Sequence, residues 1–285
     1  MEYGKLYLVA TPIGNLNDLS KRALDVLKSC DLIACEDTRY SRKLLTHFEI
    51  SKPLTSYFEH NKAEKGAVIA GEIKNGKNVA LITDAGTPAI SDPGEDLVRL
   101  CAKEGIDVVP VPGCVAFVNA LIVSGLCTGR FSFEGFLSVN RKNRMNHLEE
   151  VKDDFRTLIF YEAPHKLLKT LEDMESVFGD RKISLARELT KIHEEIKRTT
   201  LSEAIKYYSE NPPRGEFVLV IEGADRKAKE EEDAKKYDDL TISEHVEMLM
   251  GENMSKKDAI KEVARLRAMQ KRDVYNIYEN EKGRR

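Results

Sequence analysis

The segment Leu81–Gly94 combines residue types that suit a polar binding loop. Asp84 follows an apolar run that reads as a strand, and Ala85 and Gly86 then carry so little bulk that another molecule can approach the backbone closely. Pro88 stiffens the chain that follows. The pattern predicts a preformed loop that presents backbone N–H and C=O groups to a ligand.

Asp92 in the same segment has another interpretation, which we prefer for it: it caps the helix that follows. Two more turns of small residues, Val9–Asn15 and Val111–Gly113, also come directly after apolar strands. Because the carboxyl ends of parallel strands meet at one edge of a sheet, the three turns predict a cofactor cleft rather than three separate structural loops.

The segment Cys35–Arg39 places Glu36, Asp37 and Arg39 after another apolar strand. The two acids could serve as a general base and an orienting acceptor, and Arg39 could hold a phosphate or carboxylate. The alternative is structural: Asp37 or Thr38 caps the next helix and Arg39 is a surface charge.

The segment Ser56–Asn61 contains His60, a side chain that titrates near neutrality, beside aromatic residues that could stack on a base. Its importance depends on whether it faces the same cleft. Further along the chain, Arg187 and Glu188 form either a structural pair or a substrate-ordering pair. Glu216 is a candidate acceptor for a ligand's donors, with an edge-strand entry as the structural alternative.

A basic run, Asn140–His147, has three bases in four residues at the start of a helix. Such runs are usually solvated faces, but this one could supply local attraction for phosphate. The chain as a whole does not, because its formal net charge is −3.

Short apolar runs alternate with amphipathic stretches over the first part of the chain, which predicts βαβ units and a parallel sheet. After the segment Val111–Leu126 the rhythm changes and predicts a second α/β domain with a mixed sheet, divided from the first near Val111–Gly113. The predicted domains are 1–112, 113–223, a charged linker 224–240 and a small helical, helix-turn-helix-like domain 241–285. Residues 255–285 contain ten Lys and Arg but only five Asp and Glu. This excess of positive charge has two interpretations: the helices contact nucleic-acid phosphates, or they form a small bundle with a charged, solvated face.

With 285 residues, 41% of them hydrophobic, the chain can bury full cores. Its five cysteines form no CxxC pair and have no nearby histidine at metal-ligand spacing, which indicates reduced structural thiols in a cytoplasmic protein without a metal site. No segment has the length and apolarity of a membrane span or a secretory signal.

Taken in order, the motifs VATPIGN, CEDTR, SYFEHN, LITDAGTPAISDPG, VPGCVA, FYEAPHK, RELTK and GEFVLVIEG resemble the tetrapyrrole methylase superfamily. The first loop, TPIGN, is similar to that of the branch that modifies ribosomal RNA and disfavours a tetrapyrrole substrate. The resemblance covers about Lys5 to Gly223. It implies two α/β domains with S-adenosylmethionine in the cleft between them, in a homodimer.

By position, the resemblance implies a cofactor site from both domains. Its residues would be Pro12, Gly14, Asp84, Ala85, Gly86, Thr87, Pro88, Ala89, Ile90, Pro112, Gly113, Tyr161, Glu162, Leu185, Ala186, Gly215, Glu216 and Phe217.

The implied reaction transfers the donor's methyl group to the ribose 2′-hydroxyl of a cytidine in the decoding region of small-subunit ribosomal RNA. We expect Glu36 or Asp37 as base or orienter, Arg39 on RNA phosphate, and His60 with Asn61 positioning the nucleotide. The expected RNA-binding cations are Arg42, Lys43, Arg141, Lys142 and Arg144. The alternatives are a tetrapyrrole C-methyltransferase and a non-catalytic RNA-binding module.

Overall fold

The first sheet contains five parallel strands. The computed structural model describes residues 2–226, 237, 240–267 and 269–282. The strands are β1 (Leu6–Val9), β2 (Leu32–Cys35), β3 (Leu54–Ser56), β4 (Val79–Leu81) and β5 (Val108–Val111). Their order in the sheet is β3-β2-β4-β1-β5. The helices between them are α1 (Lys21–Ser29), α2 (Thr38–His47), α3 (Lys62–Lys74) and α4 (Glu95–Lys103), with a 3₁₀ turn at Leu16–Asp18.

The second sheet is mixed. Its strands are β6 (Phe131–Phe136), β7 (Thr157–Glu162), β8 (Lys182–Arg187), β9 (Glu195–Thr200) and β10 (Phe217–Ile221). Their order is β6-β7-β10-β8-β9, with β6 and β7 parallel and the other pairs antiparallel. Its helices are α5 (Ala116–Ser124), α6 (Arg141–Val151), α7 (Leu167–Phe178) and α8 (Leu201–Glu210). The predicted α/β class, parallel first sheet and mixed second sheet are confirmed.

Each sheet has its own apolar core. The first sheet is covered on both faces, by side chains such as Ile69 and Leu97 on one and Leu27 and Leu45 on the other. A sheet covered on both faces explains why its strands read as continuous apolar runs.

The described chain divides into two compact units, one of residues 2–149 and 156–222 and one of residues 150–155 with the described residues after 222. Both sheets belong to the first unit, so the boundary at 112/113 stays a prediction. The predicted linker 224–240 lies largely outside the described residues.

The second unit holds three short helices, α9 (Ile242–Gly251), α10 (Lys256–Leu266) and α11 (Lys271–Lys282), around a small apolar core. Thr241 and Glu244 form a reciprocal capping box at the start of α9. Ser255 caps α10 by accepting from the backbone N–H of Asp258. Contact of these helices with phosphates stays a prediction.

All five cysteines are free thiols. None of the described helices combines the length and apolarity needed to cross a bilayer.

Arg144 departs from its predicted role in RNA binding. Its side chain is 9% exposed, and its guanidinium donates to Asp173 Oδ2 at 2.6 and 2.8 Å and to the carbonyls of Ser138 and Val139. The Asp173 carboxylate is buried too. Arg144 therefore joins α6 to α7 and is not available to phosphate, whereas Arg141, which also pairs with Asp173, stays mostly exposed.

Replacing Asp173 with alanine is expected to lower the free energy of unfolding by about 3–5 kcal/mol, because it leaves the Arg144 guanidinium buried without its counter-ion. Urea unfolding of the purified variant measures this change. The control is Asp107→Ala, which removes an exposed carboxylate and is expected to cost less than about 1 kcal/mol. Equal stabilities of the two variants would contradict the structural role of Arg144.

Candidate active site

A cavity of about 400 Å³ lies where loops of the two sheets meet. The first sheet contributes Asp84 to Thr87 and Ile90 to Asp92, the loop after β4. The second contributes the ends of β7 and β8 and the start of β10. The complete wall consists of Ile13, Asp84, Ala85, Gly86, Thr87, Ile90, Ser91, Asp92, Val115, Ala116, Phe136, Tyr161, Glu162, Ala163, Ala186, Glu188, Leu189, Lys191, Glu216, Phe217 and Val218.

Many of the expected cofactor residues line this cavity, but others do not. Those in the wall are Asp84, Ala85, Gly86, Thr87, Ile90, Tyr161, Glu162, Ala186, Glu216 and Phe217. Those outside it are Pro12, Gly14, Pro88, Ala89, Pro112, Gly113, Leu185 and Gly215. Pro12 and Gly14 instead line a neighbouring cleft.

Hydrogen bonds join the three predicted turns of the first sheet. Thr11 and Gly86 exchange both backbone hydrogen bonds, at 2.8 and 3.1 Å, and Thr11 Oγ1 donates to the carbonyl of Thr83. Thr87 Oγ1 donates to the carbonyl of Cys114 at 3.0 Å. Gly86 has a φ of 88°, a conformation that costs glycine little. The turns therefore form one rigid rim.

Gly14 brings the first turn against a loop of the second sheet. A Cβ atom at this position would overlap the Lys191 side chain and lie 2.8 Å from Thr190 Oγ1. The next residue, Asn15, donates its backbone N–H to Thr190 Oγ1 at 3.2 Å. Gly14 thus serves the contact between the two loops.

Backbone strain is concentrated beside the cavity. Of the six non-glycine residues with positive φ in the described chain, Ala89 and Ser91 lie in the loop after β4 and Glu188 and Thr190 in the loop after β8. Such conformations cost roughly 1–3 kcal/mol each and persist where the surroundings impose them, often at functional sites.

Three carboxyl groups, those of Glu36, Asp84 and Asp92, lie close enough to influence one another at the ends of β2 and β4. Burial, followed by the charges of Glu36 and Asp84, raises the pKa of Asp92 to about 6. Burial, followed by the Asp84 charge, also raises the pKa of Glu36, and burial raises that of Asp84. Within the described residues, no Lys or Arg forms an ion pair with any of the three. Asp84 and Asp92 line the cavity, whereas Glu36 is not among the wall residues. The carboxylates of Asp84 and Asp92 therefore favour a cationic ligand.

The prediction that Asp92 caps a helix is wrong. Helix α4 begins after Gly94, and no side chain caps it. Asp92 lines the cavity instead, because the strained turn between Ala89 and Gly94 directs it away from the helix.

Asp37 caps α2, as the structural alternative for the Cys35–Arg39 segment predicts. Its Oδ1 accepts from the backbone N–H of Arg39 at 2.8 Å, and its Oδ2 pairs with the Arg39 guanidinium at 2.9 Å. These bonds from Arg39 lower the pKa of Asp37 to about 2. Asp37 is therefore a weaker proton acceptor than Glu36 or Asp92, while its own backbone N–H donates to Asp84 Oδ1 at 3.4 Å.

His60 and Asn61 lie in the turn before α3, and the cavity wall as described includes neither. Asn61 accepts from the backbone N–H of Phe58 at 2.8 Å and donates to the carbonyl of Ser56. His60 is exposed. Asn61 thus shapes the turn, and their role towards a nucleotide stays a prediction.

The second sheet gives the cavity an aromatic side. Phe136 and Tyr161 lie with ring centroids 5.4 Å apart, and burial raises the pKa of Tyr161 to about 12, so its hydroxyl stays neutral. The Glu162 carboxylate is already bonded to Thr170 Oγ1, Lys166 and its neighbour's backbone N–H. Glu162 therefore contributes shape more than a free charge.

Arg187 and Glu188 do not form the structural pair that was one of their two alternatives, and an ordering role towards a substrate stays a prediction. Arg187 pairs with Glu195, whereas Glu188 accepts from Lys191 and from the backbone N–H of Glu216. The Glu216 carboxylate pairs with Lys191 at 2.8 Å. These bonds hold the loop after β8 against the start of β10.

Several cavity residues were not expected at a cofactor site. They are Ile13, Ser91, Asp92, Val115, Ala116, Phe136, Ala163, Leu189, Lys191 and Val218. Most are apolar side chains whose inward direction depends on the fold. Glu188, which the sequence offered as one of a possible substrate-ordering pair, also lines the cavity.

The described residues contain no group of three or more His, Cys, Asp and Glu side chains arranged to hold a metal ion. Of the expected RNA-binding cations, Arg42, Lys43, Arg141 and Lys142 are exposed on α2 and α6.

Solved structures of low sequence identity share the fold. A cobalt precorrin-4 methyltransferase is 18% identical, with a TM-score of 0.56, over 76% of this chain and 94% of that one. A diphthine synthase is 13% identical, with a TM-score of 0.59, over 77% of this chain and 90% of that one.

Relatives of higher identity cover nearly the whole chain. A protein of Halalkalibacterium halodurans named ribosomal RNA small subunit methyltransferase I is 50% identical over 98% of this chain and 96% of its own length. A Bacillus subtilis protein of the same name is 48% identical over 97% and 94%. The sequence profile of the tetrapyrrole (corrin/porphyrin) methylases matches residues 5–205. The chain belongs to the tetrapyrrole methylase family.

Proposed function

We propose that this protein transfers a methyl group from S-adenosylmethionine to the ribose 2′-hydroxyl of a cytidine in the decoding region of small-subunit ribosomal RNA. The observation that carries the proposal is the acid-walled cavity between the two sheets, in a chain half identical to proteins named ribosomal RNA small subunit methyltransferase I. A cytoplasmic location is proposed with it, because that is where ribosomal RNA is found.

The cavity suits S-adenosylmethionine in size and charge. Its volume, about 400 Å³, lies in the range of small-molecule sites. The donor carries a sulfonium and an ammonium group, and Asp84 and Asp92 offer carboxylates without a cationic partner in the described chain. Phe136 and Tyr161 provide aromatic surface for a purine ring.

When bound, S-adenosylmethionine supplies a methyl group on a positively charged sulfur, which is already a good electrophile. The work of this chain is then to align the ribose oxygen, to exclude water and to take up a proton. The hydrogen-bonded turns around Gly86 and Thr87 form the part of the site that binds the methyl donor. Asp92 or Glu36 accepts the proton of the 2′-hydroxyl, since each carboxylate has a raised pKa and is therefore a stronger base than Asp37.

Exposed cations on α2 and α6 are proposed to hold the RNA backbone. Arg39, Arg42 and Lys43 lie on the first two turns of α2, and Arg141 and Lys142 on the first turn of α6. Contacts of this kind release counter-ions, so binding weakens as salt rises.

We also propose a homodimer, in which a second copy covers the outer face of α5. Ala120 and Leu121 pack on the second sheet, whereas Val118 and Ile122 point to solvent and Ile122 is 64% exposed. Replacing Ile122 with aspartate is expected to convert the dimer to a monomer in sedimentation equilibrium. The control is Val68→Asp, at an exposed position on α3, which is expected to stay dimeric. A wild-type monomer, or an Ile122→Asp variant that stays dimeric, would contradict the proposal.

The function is tested by incubating the purified protein with radiolabelled S-adenosylmethionine and one of three acceptors. These are small ribosomal subunits that lack the modification, large subunits, and uroporphyrinogen III. The expected result is label in the small-subunit RNA alone. Label in the tetrapyrrole would show that RNA is not the substrate. If the protein bound RNA but not the donor, it would be a non-catalytic RNA-binding module.

A further inference from the structure

A second cleft, of about 350 Å³, runs along one face of α2. We call it the α2 cleft. Its walls are Pro12, Gly14, Leu16, Tyr40, Lys43, Leu44, His47 and Asp84. The four helical residues recur at intervals of three and four, so they share one side of α2.

The α2 cleft meets the donor cavity at Asp84, which lines both. Helix α2 starts beside this residue, because the backbone N–H of Asp37 donates to Asp84 Oδ1. A molecule in the α2 cleft would therefore have one end at the carboxyl group that also faces the donor. This is the arrangement that a methyl acceptor requires.

The chemistry of the α2 cleft matches a nucleotide. Tyr40 offers an aromatic ring that is 52% exposed, and Leu16 and Leu44 add apolar surface. Lys43 supplies a cation on the same face, with Arg42 next to it in the chain. Proteins bind the unstacked bases of single-stranded RNA by stacking them on aromatic side chains, while nearby cations contact the phosphates.

We propose that the α2 cleft binds the nucleotide to be methylated, with the base stacked on Tyr40, a phosphate on Lys43 and the ribose towards Asp84. This inference rests on the proposed function and assigns the acceptor site within it. The nucleotide has to be unstacked to enter the cleft. In double-stranded RNA, the neighbouring nucleotides would keep its ribose out.

The test compares Tyr40→Ala and Tyr40→Phe with Tyr3→Ala, which removes a tyrosine that is 47% exposed and lies outside both cavities. Methyl transfer to small subunits that lack the modification gives KM and kcat, and calorimetry gives the Kd for S-adenosylmethionine. Stacking on an aromatic ring contributes about 1–3 kcal/mol per base. Tyr40→Ala is therefore expected to raise the KM for subunits roughly 5- to 150-fold. Tyr40→Phe and Tyr3→Ala are expected to stay within about twofold of the wild type.

The outcomes separate this inference from the proposed function. If the wild type methylates the subunits and Tyr40→Ala matches it, the α2 cleft is not the acceptor site and the proposed function stands. If Tyr40→Ala weakens donor binding as much as it raises KM, the α2 cleft belongs to the donor site and the inference falls. If the wild type transfers no methyl group to RNA, both fall. A raised KM with an unchanged donor Kd and rescue by phenylalanine supports the assignment.

Discussion

Replacing Asp92 with asparagine is expected to lower kcat for methyl transfer by about 100- to 10,000-fold, the usual contribution of a positioned general base. Asp92 lines the donor cavity, and its carboxylate is more basic than an ordinary aspartate because it is half-buried beside Glu36 and Asp84. Asparagine keeps the size of the side chain and removes its ability to accept a proton. Single-turnover rates with saturating donor and small subunits measure the change.

The pH dependence gives this prediction a second readout. The carboxylate must be ionised to accept a proton, so the wild-type rate is expected to rise with pH and to level off above about 6, the pKa of Asp92. The variant is expected to lack this rise. Asp107→Asn, at an exposed position, serves as the matched control and is expected to keep both the rate and the pH profile. If Asp92→Asn kept the wild-type rate, Asp92 would not be the general base, and Glu36 would be the remaining candidate.

The same change is expected to stabilise the folded protein at pH 7.5. The pKa of Asp92 is higher in the folded chain than its ordinary value of 3.8. The folded state therefore binds the proton more tightly than the unfolded chain, and stability falls as pH rises from about 4 to beyond 6. At pH 7.5 the folded protein has to keep the Asp92 carboxylate ionised, which lowers the free energy of unfolding. Asparagine does not ionise, so Asp92→Asn is expected to unfold at a higher urea concentration than the wild type. Gain of stability with loss of turnover is typical of a catalytic group.

Replacing Ala85 with phenylalanine is expected to raise the Kd for S-adenosylmethionine at least about 100-fold, which corresponds to about 2.7 kcal/mol. Ala85 is exposed on the cavity wall, so the added ring occupies donor space without entering the apolar cores. Isothermal titration calorimetry measures the affinity, and thermal melting without ligand checks that the fold is retained.

The matched control for this variant is Ala102→Phe. Ala102 is exposed on α4, away from the cavity wall, so this change is expected to leave the Kd within about twofold. If Ala85→Phe bound the donor as tightly as the wild type, the cavity between the two sheets would not be the donor site.

The position of the cavity could be predicted from the sequence because it depends on short-range patterns. Apolar runs such as that before Asp84 identify parallel strands, and the carboxyl ends of such strands lie at one edge. The three turns around Pro12, Gly86 and Gly113 were therefore expected together. Hydrogen bonds from Thr11 and Thr87 join them in the structure.

The predictions for Arg144 and Asp92 were wrong for two different reasons. One residue has an ion-pair partner that is distant in sequence, and the other lies in a turn with unusual backbone angles. Arg144 lies in a basic run that reads as a solvated face, but its counter-ion, Asp173, is 29 residues away on another helix. Asp92 precedes a Pro-Gly pair and a helix, which is typical of a cap. The positive φ of Ser91 and the start of α4 after Gly94 direct it to the cavity instead.

The α2 cleft could not be predicted for a related reason. Tyr40 reads as an ordinary residue of an amphipathic helix, and only the fold brings its face next to Pro12 and Asp84. Phe136 likewise comes from a strand whose outward face cannot be assigned without its neighbours. Side chains that contact a ligand through tertiary packing leave no local pattern.

The most direct test of the proposed function identifies the methylated atom. Small subunits that lack the modification are incubated with the protein and isotopically labelled S-adenosylmethionine, and the RNA is digested to nucleosides and to fragments for mass spectrometry. The expected product is one labelled nucleoside, 2′-O-methylcytidine, in a fragment from the decoding region. A label on a base, or on a nucleotide outside that region, would contradict it.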